Sequence, residues 1–133
     1  LCGGIVGLER QVRGKPAGVR TSILVCLGSS VFIHLGTALS GDASDPARVL
    51  GQLVTGIGFL GAGVMFSREG VVNGVTTAAV IWILAAIGAA IGLGRYDGAL
   101  ALAVTTVAIL VGVELLESSL KWLTKGVHQQ DED

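Results

Sequence analysis

The residues of this 133-residue chain that could do chemistry are few, and each sits in an otherwise apolar neighbourhood. Asp42 and Asp45 form a carboxylate pair in a short connection. Oxygen ligands of that kind suit Mg²⁺, which keeps most of its waters and binds through one or two carboxylates. Asp45 also precedes Pro46, and an acidic residue before a proline is a helix-start signal, so the helix-cap reading leads. His34 is a titratable group inside an apolar run, suited to a proton or ion path or, more plainly, to a neutral imidazole bonded to a carbonyl. Gln52 is an uncharged donor and acceptor about one turn inside another such run. Glu9, Arg10, Arg13 and Arg20 crowd one connection, and Arg68 and Glu69 occupy a later one on the same predicted side. Two readings stand for them: an ion-paired ring, or topology and lipid-headgroup contact. Asn73, Thr76 and Thr77 surround a helix start, where hydroxyls cap or bond back to the chain. Cys2 and Cys26 have no metal-binding spacing and read as small apolar residues. Walker, zincin and GxSxG patterns are absent, so no enzyme activity and no resident cofactor is expected, Mg²⁺ aside. Nine Lys and Arg among 133 residues give no support for nucleic-acid binding.

Half of the residues (51%) are hydrophobic, 14% are charged and 21 are glycine. A water-soluble domain carries nearer a quarter charged residues, and disorder needs low hydrophobicity, so both are excluded. The chain reads as all-α: a polytopic membrane helix bundle. Four windows, Thr21–Leu39, Val49–Phe66, Val75–Leu93 and Ala99–Val113, qualify as spans. A 19-residue helix covers roughly 28 Å, close to the hydrocarbon thickness. Leu1–Leu8 reads as the last two turns of a truncated first helix. The organisation expected is a transmembrane domain over 1–116 and a short polar tail over 117–133. Alternating the connections places seven basic residues on one side and Arg48 and Arg95 on the other, so the seven-residue side and the C-terminus are expected in the cytoplasm.

Helical spacing adds detail. Ser22, Cys26, Ser30, His34 and Thr37 fall within an arc of roughly 120° and should face the bundle or a hydrated cavity. Arg48, Gln52, Thr55, Gly56 and Gly63 share a face of the next helix. That helix carries Gly56, Gly58, Gly61 and Gly63, each costing about 1 kcal/mol against alanine in a helix interior. Close approach to neighbouring helices is the leading explanation, and a broken helix lining an ion site is the other. Gly88-x-x-x-Gly92 with Ala78, Ala85 and Ala89 forms a small-residue packing seam. Trp82 is expected to pack at mid-span, and Trp122 and Tyr96 to mark interfaces.

Several segments together resemble the MgtC/SapB family of bacterial inner-membrane proteins: Gly7-Leu8-Glu9-Arg10-Gln11, Gly18-Val19-Arg20-Thr21, Asp45-Pro46-Ala47-Arg48-Val49, Gln52 through Gly63, Arg68-Glu69-Gly70, and Gly74-Val75-Thr76-Thr77-Ala78-Ala79 with Trp82. The resemblance implies a five-helix membrane domain with its N-terminus outside and its C-terminus inside. It further implies a link to magnesium homeostasis and, in one branch, to virulence. Many relatives carry a soluble domain after the last helix, and many have His or Asn where this chain has Ser22. The function expected is that of a membrane regulator acting on another inner-membrane protein, with lipid contact and self-association as further partners. The alternative is a Mg²⁺ or proton carrier using His34, Gln52 and the glycine-rich helix, which requires polar side chains to converge at mid-membrane.

Overall fold

The computed structural model describes residues 1–39, 46–68 and 71–127. Five helices follow in order: α1 (Cys2–Val12), α2 (Val19–Ala38), α3 (Pro46–Gly63), α4 (Val75–Gly92) and α5 (Tyr96–Val127). Between α3 and α4 lie two short strands, β1 (Phe66–Arg68) and β2 (Val71–Asn73). They pair antiparallel, with Phe66 opposite Asn73 and Arg68 opposite Val71. The helical architecture expected from the sequence is therefore present, with a small hairpin added to it. Its phenylalanine and valines favour extended backbone, but three residues per strand are too few for a readable alternation.

The turns that reverse the helices are legible physical chemistry. At the end of α1, the Lys15 amide donates to the Arg10 carbonyl (2.9 Å) and the Gly14 amide to the Gln11 carbonyl (3.1 Å). That pair of bonds is the Schellman arrangement, which places one residue in the left-handed region; Gly14 fills it with φ +62°. Gly94 closes α4 in the same way, with Arg95 bonding back to Ala90 at 2.8 Å.

The core centres on α4. Thr77, Val80, Ile81, Leu84, Ala85, Ile87, Gly88 and Ala89 are buried, on more than one side of the helix, because α2, α3 and α5 all pack against it. One apolar cluster joins Val6, Cys26, Leu84, Ile87, Ala99 and Ala103 across α1, α2, α4 and α5. A smaller one joins Ile57 of α3 to Ile81 and Ala85. The seam predicted at Gly88 and Gly92 is where α2 approaches most closely. A Cβ at Gly88 would run into the Cys26 carbonyl, and one at Gly92 would stand 2.6 Å from the Ser30 carbonyl oxygen. The same close approach recurs on α1, where a Cβ at Gly3 would lie 2.8 Å from the Ser22 carbonyl oxygen and one at Gly7 2.7 Å from Val19 Cα.

The outside is apolar. Leu24, Phe32, Phe59, Trp82, Val104 and Ile109 are all exposed. In water such a surface would drive association, whereas in hydrocarbon it is an ordinary exterior. Among the described residues, three segments are long and apolar enough to cross a membrane: Val19–Ala38, Val75–Gly92 and Tyr96–Ser119. The protein is a helical membrane protein. α3 matches α4 in length, but Arg48, Gln52 and five glycines dilute its apolar content. α5 continues through residue 117, so the expected change from membrane domain to polar tail falls inside one continuous helix.

Two expectations are corrected. Trp82 is 53% exposed and faces outward instead of packing in the core. Among the described residues a Cβ at Gly56, Gly58 or Gly63 would meet nothing within 4 Å, and one at Gly61 would make only ordinary contact with Ala78 at 3.7 Å. The reason is rotational. α3 docks on α4 through Leu53 and Ile57, which turns the Gly56 and Gly63 side away from the bundle.

Candidate functional site

The charged residues that the structure brings together lie at one end of the bundle, where α1 ends, α4 begins and α5 passes. Glu9 and Arg13 are one turn apart on α1, and Arg13 Nε donates to Glu9 Oε1 at 2.9 Å. The Arg13 guanidinium also pairs through Nη1 with Glu114 of α5. One arginine thus ties α1 to α5. Arg10 points the other way, toward α4, and its Nη2 donates to Thr77 Oγ1 at 3.2 Å. Arg10 follows the apolar Leu1–Leu8 stretch and is only 4% exposed. Burial lowers its pKa from the ordinary arginine value and the Glu9 carboxylate raises it in part, but arginine stays charged throughout the physiological range.

A buried charge is costly unless its hydrogen-bonding groups are met. Here they are not all met. Arg10 Nε and Glu9 Oε2 are both buried and find no hydrogen-bond partner among the described residues. Both residues line a cavity of about 900 Å³. Lys15, Asn73, Thr76, Thr77, Glu114 and Glu117 also line it, together with the apolar Val64, Phe66, Ile109 and Val113. α4 opens onto this cavity at Gly74, with no side chain capping its first turn. Gly74 is sterically fixed there, because a Cβ would collide with the Val64 carbonyl.

The connection between α1 and α2 is braced beside this cluster. The Val19 amide donates to Gln11 Oε1 at 3.3 Å, and Ser22 Oγ donates to the Ala17 carbonyl at 3.1 Å. Ala17 takes a left-handed φ of +59°, which an alanine adopts only when its surroundings fix it.

Of the residues singled out from sequence, Glu9, Arg10, Arg13, Asn73, Thr76 and Thr77 meet at this end. Arg20 and Thr21 are exposed on the first turn of α2 and do not line the cavity. The polar stripe of α2 divides: Ser22 and Cys26 are buried, the latter donating from Sγ to the Leu84 carbonyl at 3.2 Å, whereas His34 is exposed. The expectation that His34 faces the interior is corrected, since the stripe winds out of the interface before reaching it. Arg48 and Gln52 are exposed on α3. Asp42, Asp45 and Glu69 lie outside the described residues, as does the side chain of Arg68. Among the described residues, no group of three or more His, Cys, Asp and Glu side chains is placed to hold a metal ion.

Sequence reasoning passed over Glu114 and Glu117. Their signal was present, since each is a carboxylate just beyond the Ala99–Val113 apolar run. It also passed over Gly3-x-x-x-Gly7, the same spacing recognised in α4.

With this geometry in place, comparison with known proteins identifies the lineage. A model of the MgtC family matches residues 1–119. The chain belongs to the MgtC family. Protein MgtC of Brucella abortus (strain 2308) is 46% identical over 116 residues, covering 87% of this chain and 47% of that protein. Protein MgtC of Salmonella typhimurium (strain LT2) is 46% identical over 120 residues, 90% of this chain and 49% of that one. YhiD of Escherichia coli (strain K12), provisionally named a magnesium transporter, is 39% identical over 134 residues, 96% of this chain and 61% of that protein. The chain therefore spans about half the length of the MgtC relatives it matches. No solved structure matches it.

Proposed function

We propose that this MgtC-family protein is a non-enzymatic regulator in the bacterial inner membrane, linked to magnesium homeostasis and acting on another membrane protein. In this reading its C-terminus and the charged end described above face the cytoplasm. In the same reading α2, α3, α4 and α5 span the bilayer.

One observation carries the choice of regulator over carrier. The paired charges gather at one end, in Arg10–Thr77 and Glu9–Arg13–Glu114, while His34 and Gln52 stand exposed on the outer faces of α2 and α3. A carrier within a single chain needs polar groups that follow one another through the bilayer. A regulator needs a defined charged surface at the membrane boundary and a rigid bundle behind it, which the small-residue packing of α1, α2 and α4 supports. The carrier reading survives in one specific form, suggested by the exposure of Arg48 and Gln52: a path completed by a second copy across α3.

The test is reconstitution of the full-length protein into sealed liposomes holding a Mg²⁺-sensitive dye. The regulatory reading expects no flux above that of empty liposomes. Flux that disappears in Gln52→Leu would overturn it in favour of the carrier.

A further inference from the structure

α5 is supported along only part of its length. It leaves the turn at Gly94 and runs back beside α4, burying Ala99 and Ala103 in the cluster that holds Leu84 and Ile87. Val107 and Leu110 are only partly buried against that cluster. From Gly112 to Ser119 every residue is exposed. The reason lies in the helix lengths. α4 has 18 residues and α5 has 32, so α4 gives out near Val113 and α5 runs on for about 20 Å.

Two features mark the place where support ends. Gly112 interrupts α5 with the residue that, proline aside, contributes least to helix stability. Among the described residues a Cβ there would meet nothing within 4 Å, so close packing does not account for the glycine. Two residues on, Glu114 pairs with Arg13 of α1, and Arg13 is itself held by Glu9 one turn back. Among the described residues this is the one hydrogen bond or ion pair that ties α5 beyond Gly112 to another helix. The Ser118 and Ser119 hydroxyls donate instead to the Leu115 carbonyl of α5 itself.

A single tie of this kind is weak enough to release. The Glu114 side chain is 51% exposed, and ion pairs so placed shift an equilibrium by no more than about fivefold. There is also room for movement. The cavity of about 900 Å³ is lined by Val113, Glu114, Glu117 and Ser118 of α5 together with Thr76 and Thr77 of α4. Hinges are a few residues, often small, at the end of a packed element, where backbone angles change without breaking side-chain contacts. Gly112 meets that description.

We propose that α5 beyond Gly112 is a movable arm, hinged at Gly112 and latched to α1 by the Arg13–Glu114 pair. With the latch closed, the charged end has the arrangement described above. With it open, Glu114 and Glu117 swing relative to Arg10 and Thr77, and the cavity changes size. The arm is a property of the bundle and does not depend on the regulatory reading.

Pulsed electron paramagnetic resonance on the full-length protein in liposomes tests it, with nitroxide labels on Thr21→Cys and Ser119→Cys in a Cys2→Ala/Cys26→Ala background. Thr21 is exposed on the first turn of α2 and does not line the cavity. Arg13→Gln should broaden or shift that distance by roughly 4 Å, the sweep of a kink of about 20° over an arm of about 10 Å. A second pair, Thr21→Cys with Val104→Cys, reports on α5 before the hinge and should not change. Adding Gly112→Ala to Arg13→Gln stiffens the helix without a clash and should restore most of the original distribution. An unchanged Ser119 distance in Arg13→Gln would overturn the latch. Equal broadening at Val104 would mean that the whole bundle loosens and would overturn the hinge, as would a Gly112→Ala substitution that restores nothing.

Discussion

α3 and α4 are each 18 residues long, each rich in glycine and alanine, and neighbours in the bundle, yet their small residues do opposite things. On α4, Gly88 and Gly92 lie directly against backbone carbonyls of α2, and the helix is buried on several sides. On α3, Gly56, Gly58 and Gly63 face open space, alongside exposed Arg48 and Gln52. The difference teaches that a glycine's role is set by what stands opposite it, which its own helix does not encode. It also separates the molecule into a tightly packed part that fixes the charged end and an outward face of α3 that the other described residues leave uncovered.

Substitutions should follow that division, and thermal unfolding of the purified protein in one detergent reads all of them. The largest effect is expected at Gly88→Leu, where the new side chain must displace the backbone of α2. Overpacking of this kind costs roughly 3 kcal/mol, so a sharp fall in Tm or loss of folded protein should result. An unchanged Tm would mean that α2 and α4 are not packed as described. Next comes Thr77→Val, which keeps the shape but leaves Arg10 Nη2 without its acceptor. A buried charged donor so stranded costs about 2 kcal/mol. A loss as small as that of an exposed threonine would argue against the Arg10–Thr77 bond. Smaller and opposite in sign, Gly56→Ala should stabilise by up to about 1 kcal/mol through helix propensity alone. A destabilisation there would reveal a partner on the α3 face. The smallest effect belongs to Glu114→Gln. Its side chain is 51% exposed, and ion pairs of that kind contribute roughly 0–1 kcal/mol.

Much of the fold was legible because membranes make strong demands on sequence. The apolar runs marked α2 and α4 to within a few residues, Pro46 marked the start of α3, and the Gly88–Gly92 spacing marked its seam. The hairpin was illegible because three-residue strands carry no usable period. Facing was the harder problem. The α2 stripe is a single arc on a helical wheel, but α2 meets its neighbours along only part of its length, so Ser22 and Cys26 are buried and His34 is not. The site was half legible. Glu9, Arg10, Arg13 and Thr77 stood out as charges and hydroxyls at helix ends. That Arg13 reaches Glu114 and Arg10 reaches Thr77, 67 positions away, depends on tertiary packing alone.

The central claim is that function resides at the charged end and not along the outward face of α3. Growth at low Mg²⁺ tests it most directly, in a bacterium lacking its own copy and supplied with the full-length protein at matched membrane levels. Arg10→Gln should abolish the growth advantage, and Gln52→Leu should retain it. Loss of function in Gln52→Leu with full function in Arg10→Gln would contradict the account.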